Sequence, residues 1–236
     1  MIGPRAGERV AIPRKRTIGL TLLVVWALMV GVLPVASFAA SPPGQVITVE
    51  AATPRSVVAV VRLWELGGDS RYHQVHGPIV ADVGGHGVGH TREGLDRTPV
   101  GVFTLTQAFG NQANNGTRLP YFRAGPDDWW DENPSSAQYN EHVRSRSSPG
   151  DASENLYYAG PAYAHAVVIN YNTDPVVKGA GSGFFLHDGD GAPTTGCVAI
   201  PPNDLNWVMR WINPALDPVI SIGVGSAAHA ALDLAS

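Results

Sequence analysis

Gly183-Phe184-Phe185-Leu186-His187-Asp188-Gly189-Asp190-Gly191-Ala192-Pro193-Thr194-Thr195-Gly196-Cys197-Val198 reads as an apolar strand closed by a histidine, a glycine-rich turn, and a new segment that starts at the only cysteine of the 236-residue chain. A single thiol forms no internal disulfide, and outside the cytoplasm it faces oxidation with no gain in stability. Chemistry is the better reason for it. A cysteine attacks as thiolate and needs a neighbouring base, and imidazole is the side chain whose ordinary pKa lies closest to working pH. The turn through Asp188 to Gly191 reverses the chain and brings Cys197 near His187. Gly196 leaves the backbone open to a substrate, having no Cβ, and N–H groups around Thr195 to Cys197 can hold the oxyanion of an acyl-transfer intermediate. The plainer alternatives are a cysteine used as a small core hydrophobe and a histidine that merely packs. The histidine, Gly196 and the evidence for export given below together favour catalysis.

The rest of the chain reads as β-rich. Short apolar runs at Val57-Leu63, Pro78-Val83, Val100-Leu105, Ala164-Asn170 and Pro218-Gly223 read as strands, the first two closed by the glycine-containing segments Gly67-Gly68 and Gly84-Gly85. One helix follows the cysteine, with Leu205, Val208, Met209 and Ile212 at helical spacing, Asn203 or Asp204 as its cap and Asn213-Pro214 as its stop. It is expected to pack beneath the site. Between about Asn111 and Gly160 lies a long irregular stretch holding Trp129, Trp130, Tyr139, Tyr157 and Tyr158, which reads either as a lid over a site or as a plug at the core edge. His86 and His90 are four apart as helical metal ligands would be, but their surroundings are too glycine-rich for a helix, so no zinc site is expected.

Arg14-Lys15-Arg16, the apolar run Ile18 to Val35 and the small residues of Ser37-Phe38-Ala39 make residues 1–39 a signal peptide or an N-terminal membrane anchor. The protein is therefore expected outside the cytoplasm, secreted or in the cell envelope, and to touch a membrane only through that segment. About 195 residues remain, enough for one domain. Beyond residue 39 they carry eleven basic and nineteen acidic side chains, which makes nucleic acid a poor partner.

Thr98-Pro99-Val100-Gly101-Val102-Phe103, Phe184-Phe185-Leu186-His187 and Pro193-Thr194-Thr195-Gly196-Cys197-Val198-Ala199-Ile200-Pro201 resemble the signature blocks of the L,D-transpeptidase (YkuD-type) catalytic domain of bacterial cell-wall enzymes. The likeness spans about Val58 to Gly223 and takes in Ala108-Phe109-Gly110, Trp129-Trp130-Asp131, Tyr139-Asn140 and Val168 to Asn172. It implies a mainly β fold, a β-sandwich of mixed strands with few short helices. The organisation that follows is a short linker over 40–56, a catalytic domain over 57–225 and a C-terminal tail over 226–236.

The resemblance also implies the chemistry. Cys197 matches the nucleophile and His187 the general base, while Thr194, Thr195 and Gly196 surround the oxyanion and substrate pocket. The substrate is a peptidoglycan stem peptide cut at an L,D bond, the thioester passes to an amine, no metal or organic cofactor takes part, and carbapenem-type β-lactams are covalent inhibitors. Ala199 stands where many members carry arginine, and alanine cannot grip a carboxylate bidentately. Arg97, Arg123 and Asn172 are the candidates to replace it. Three functions stay open: a transpeptidase, an L,D-carboxypeptidase in which water resolves the thioester, and a non-catalytic wall-binding module.

Overall fold

Four consecutive β-branched residues, Val46 to Val49, favour extended chain because their side chains pack well on a pleated surface, and they form the body of β1 (Gln45–Ala51), an interior strand of the main sheet. The computed structural model describes residues 41–235. The 40–56 linker is thereby corrected, since Ile47, Val49 and Ala51 lie in the main core. Pro42, Pro43 and Pro54 flank the strand, and their turn-like signal masked it. The leader or anchor expected over 1–39 lies outside the described residues, and no described helix is long and apolar enough to cross a membrane.

The chain continues through β2 (Val58–Leu66), β3 (Tyr72–Asp82), β4 (Val88–Gly89), β5 (Thr98–Pro99), β6 (Gly101–Thr104), β7 (Ala108–Gly110) and β8 (Tyr121–Arg123). Three short strands follow, β9 (Asp128–Asp131), β10 (Glu141–Arg144) and β11 (Glu154–Asn155). Then come β12 (Ala166–Val168), β13 (Phe185–Asp188), β14 (Val198–Ile200), helix α1 (Pro202–Trp211) and β15 (Val219–Val224). One curled, ten-stranded mixed sheet runs β6-β15-β1-β2-β3-β14-β13-β12-β7-β8, and β9, β10 and β11 form a separate three-stranded flap. The mainly β fold of mixed strands with few short helices is what the chain adopts.

Strands β13 and β14 run parallel, with Leu186 opposite Val198 and His187 opposite Ala199. The glycine-rich connection therefore does not make the hairpin that a simple chain reversal suggests. It carries the chain back so that β14 starts beside the start of β13. Such crossovers are usually longer and helical; this one is anchored instead on the segment after β3, where the Thr194 N–H donates to the Val83 carbonyl (3.0 Å) and the Gly85 N–H to the Thr194 carbonyl (2.8 Å). His187 lies inside β13, one residue before its end.

Helix α1 buries Leu205, Val208 and Met209, and Ile212 just beyond it, against Leu186, Val198 and Ile200. The helix thus supports the sheet from the face opposite the one that carries Phe185 and Cys197. Each of these side chains contributes about 1.5–3 kcal/mol by leaving water. Neither Asn203 nor Asp204 is the cap. Pro201 holds that place with no side-chain bond, and Pro202 starts the helix with a pre-set φ. The 226–236 tail is corrected as well: Gly225–His229 and Leu232–Ala235 are 3-10 turns, and Ala231 is buried against Val46 and Val219.

Candidate active site

Cys197 precedes β14, so the parallel register sets its side chain beside Phe185, and the Phe185 N–H donates to its Sγ at 3.3 Å. The thiol in turn donates to the Gly183 carbonyl at 3.4 Å. The residue is 5% exposed and shares a cluster with Phe109, Trp130, Tyr163 and Phe185. Burial pushes the thiol well above its ordinary pKa, and the charge of Glu154 adds to the rise; the Phe185 N–H opposes it. At rest the sulfur is a neutral thiol.

His187 projects from the same face of β13 as Phe185, two residues along. Its Nδ1 lies 2.8 Å from the Asp188 carbonyl, and the Tyr163 ring meets it edge-on at 5.3 Å. Burial lowers its pKa, against the carbonyls of Asp188 and Ala162 and the charge of Asp190, which favour the protonated ring. The ring is therefore neutral near pH 7 and able to accept a proton. Among the described residues no hydrogen bond joins His187 to Cys197, yet both line one cavity of about 580 Å³ together with Tyr163, Asp190 and Thr195.

A second cavity, of about 430 Å³, opens on the other side of the sulfur, lined by Glu93, Glu132, Phe184 and Gly196. Cys197, Glu154 and Thr195 line both cavities and form the wall between them. The flap roofs this region. Trp130 is buried, its ring edge-on to Phe185 at 5.0 Å and its Nε1 donating to Asn140 Oδ1 at 2.9 Å, whereas Trp129 is half-buried and donates to the Ser145 carbonyl. Both readings of the tryptophan stretch therefore meet here: Trp130 plugs the core, and the flap that carries it borders the cleft.

Thr194 and Gly196 shape the turn around the thiol. The Gly196 N–H donates to Thr194 Oγ1 (3.1 Å), and that hydroxyl donates to the Cys197 carbonyl (2.7 Å). The glycine at 196 is needed for its backbone, at φ 145°, and for packing: a Cβ there would press on the Phe184 ring and lie 3.3 Å from the Arg97 carbonyl. Gly196→Ala is expected to leave the fold intact by circular dichroism and to lower kcat/KM for acyl transfer about a hundredfold, through displaced N–H donors.

The three candidates to replace the missing arginine are all engaged elsewhere. Arg97 Nε donates to the His86 carbonyl, Arg123 Nε to the Asn111 carbonyl, and Asn172 binds the backbone of Val177 and Gly181. Ala199 lies within the sheet, paired with His187 and Asp82.

Sequence reasoning passed over Tyr163, Glu154 and Glu132. The Tyr163 hydroxyl, fully buried beside the thiol, donates to Glu154 Oε2 at 2.7 Å. Burial raises Glu154, and burial with the charges of Glu154, Glu93 and Asp131 pushes Glu132 up to about 9. Glu132 follows the aromatic strand β9, Glu154 opens β11 and Tyr163 ends a 3-10 turn, and only the tertiary fold turns all three toward the thiol.

No significant match is found among curated proteins or solved structures. A family model matches residues 49–220, a span that holds β2 through β14, both cavities and every residue set around the thiol. By that match, the chain belongs to the L,D-transpeptidase catalytic domain family, YkuD.

Proposed function

We propose that this protein is a peptidoglycan L,D-transpeptidase of the cell envelope in which Cys197 is the nucleophile and His187 the general base. The observation that carries the reading is a lone thiol on the wall shared by two cavities, one of which also holds a neutral imidazole. One cavity can then seat the acyl donor and the other the acceptor.

The thiol turns from the Gly183 carbonyl and passes its proton to His187, whose imidazolium the carbonyls of Asp188 and Ala162 favour. The thiolate attacks the stem-peptide carbonyl that follows the L-configured centre. His187 returns the proton to the departing amine of the terminal D-amino acid as the C–N bond breaks. An amine then attacks the thioester, the C–S bond breaks, and the sulfur regains a proton through His187. Thr194, Thr195 and Gly196 hold the turn that presents N–H groups to the oxyanion. A carbapenem would acylate the same sulfur, with no metal or organic cofactor required. The leader read over 1–39 is the reason for placing the reaction outside the cytoplasm.

Mass analysis of wall stem peptides incubated with the protein tests this. Loss of a terminal D-amino acid together with cross-linked dimers is expected. Loss without dimers would make the protein a carboxypeptidase, and an unreactive thiol would make it a wall-binding module.

The pH dependence follows from the direction of the His187 shift. Because burial lowers its pKa below the ordinary 6.5, the ring stays a base to a lower pH than a free imidazole. The acid limb of kcat/KM is expected below pH 6.5 and to vanish, with most of the activity, in His187→Ala. A limb that survives that substitution would assign it to another group.

A further inference from the structure

Glu132 follows directly on β9 and carries its carboxyl into the smaller cavity, beside Cys197. Its backbone N–H is bonded to Ser153 Oγ, but the carboxyl itself has no hydrogen-bond partner among the described residues. It rests against Gly183, so closely that a Cβ there would collide with Oε1, and the Gly183 carbonyl is the group that accepts the Cys197 thiol. The charges that face it are acidic: Glu154 from β11, Glu93 from the opposite wall and Asp131 from its own strand. Glu93 is partly occupied, accepting from the Tyr139 hydroxyl and from Ser182 Oγ at 2.7 Å. Arg92, the one basic side chain lining the cavity, is exposed.

An unpaired carboxyl held among acidic groups is poorly stabilised as an anion and keeps its proton until a cation arrives. It lines one of the two approaches to a thioester on Cys197, the one that His187 does not line. A positively charged acceptor gains from every carboxylate there, whereas water gains little.

Building on the transpeptidase reading, we propose that Glu132 receives the ammonium group of the acyl acceptor and takes the proton that frees its nitrogen for attack. The proton balance is complete. Entry of the ammonium group expels the resting proton of Glu132 to solvent. One ammonium proton then passes to the Glu132 carboxylate, and the nitrogen lone pair attacks the thioester carbonyl. As the C–S bond breaks, the second surplus proton passes through His187 to the leaving sulfur, so one proton is released overall for each amide bond formed. The cavity thereby selects ammonium-bearing acceptors over water, a choice that the motif around Cys197 leaves open.

The test compares two acceptors on the pre-formed thioester of the full-length protein: a primary alkylamine, cationic at pH 7, and hydroxylamine, neutral there. In Glu132→Gln the ratio of transfer to the amine over transfer to hydroxylamine is expected to fall at least tenfold, and Glu132→Asp is expected to recover part of it. An unchanged ratio, in variants whose melting curves show them folded, overturns the proposal. A separate measurement needs no turnover: in the Cys197→Ala protein, binding of the alkylammonium probe should shift the Glu132 carboxyl ¹³C resonance and release a proton, and both signals should be lost in Glu132→Gln. Absence of both in the parent protein would overturn the Glu132 assignment. Failure of the wild-type thiol to form any thioester would instead overturn the transpeptidase reading, while the titration still decides on Glu132.

Discussion

Cys197→Ala is expected to reduce acyl transfer at least about a thousandfold, to the level of the uncatalysed reaction, because the covalent step has no other thiol to use. The size of the effect rests on place as much as on chemistry. The sulfur forms the wall between two cavities, and no other side chain with a nucleophilic sulfur exists in the chain. Stability should change little, since the substitution removes one sulfur from a cluster whose bulk is aromatic. A matching melting temperature with lost D-amino acid release, followed by mass spectrometry, is the expected pair of results. Retained release in the alanine variant would move the chemistry away from Cys197. Intact mass after β-lactam treatment gives a further check, with an adduct on the wild type and none on the variant.

Trp130→Ala has the largest expected effect on the fold, a loss of about 3–5 kcal/mol. The indole is 4% exposed and contacts Phe185, which packs on Phe109, Tyr163 and Cys197. Its N–H also helps to hold Asn140, a residue at φ 65° that ties the flap to the body. Asn140 donates to the carbonyls of Tyr171 (3.0 Å) and Asn172 (2.8 Å), and its Oδ1 accepts from the Gly183 N–H (3.1 Å). Gly183 in turn presents the carbonyl on which the thiol rests. Removing the indole should therefore loosen the flap and the seat of the sulfur together. Denaturant unfolding measures the first effect. The second should show as alkylation of Cys197 at least about tenfold faster in the native protein, since the sulfur is then less sealed from solvent. Destabilisation with an unchanged alkylation rate would show that the plug and the thiol's seat are independent.

Much of the fold could be read along the chain. Runs such as Val58 to Leu63 and Val219 to Ile222 declare strands by β-branched content, and Leu205, Val208, Met209 and Ile212 declare one face of a helix. The strand at Gln45–Ala51 escaped notice because flanking prolines imitate a linker, and its place depends on pairing with β15, about 170 residues away. The candidate site was legible as residue types, since Cys197, His187 and Thr194 to Gly196 lie within eleven positions of one another.

Sequence alone determined the local elements and the identity of the reactive groups, because strand and helix propensity, glycine turns and the scarcity of cysteine are properties of neighbouring residues. Tertiary structure decided the environment of those groups. The parallel register of β13 and β14 sets Cys197 beside Phe185, the flap brings Glu132 and Glu154 to the sulfur from 65 and 43 positions upstream, and the 3-10 turn Gly160–Tyr163 brings Tyr163. Burial and charge act through space, so the neutral thiol, the neutral imidazole and the unpaired carboxyl arise only when distant segments close around one point.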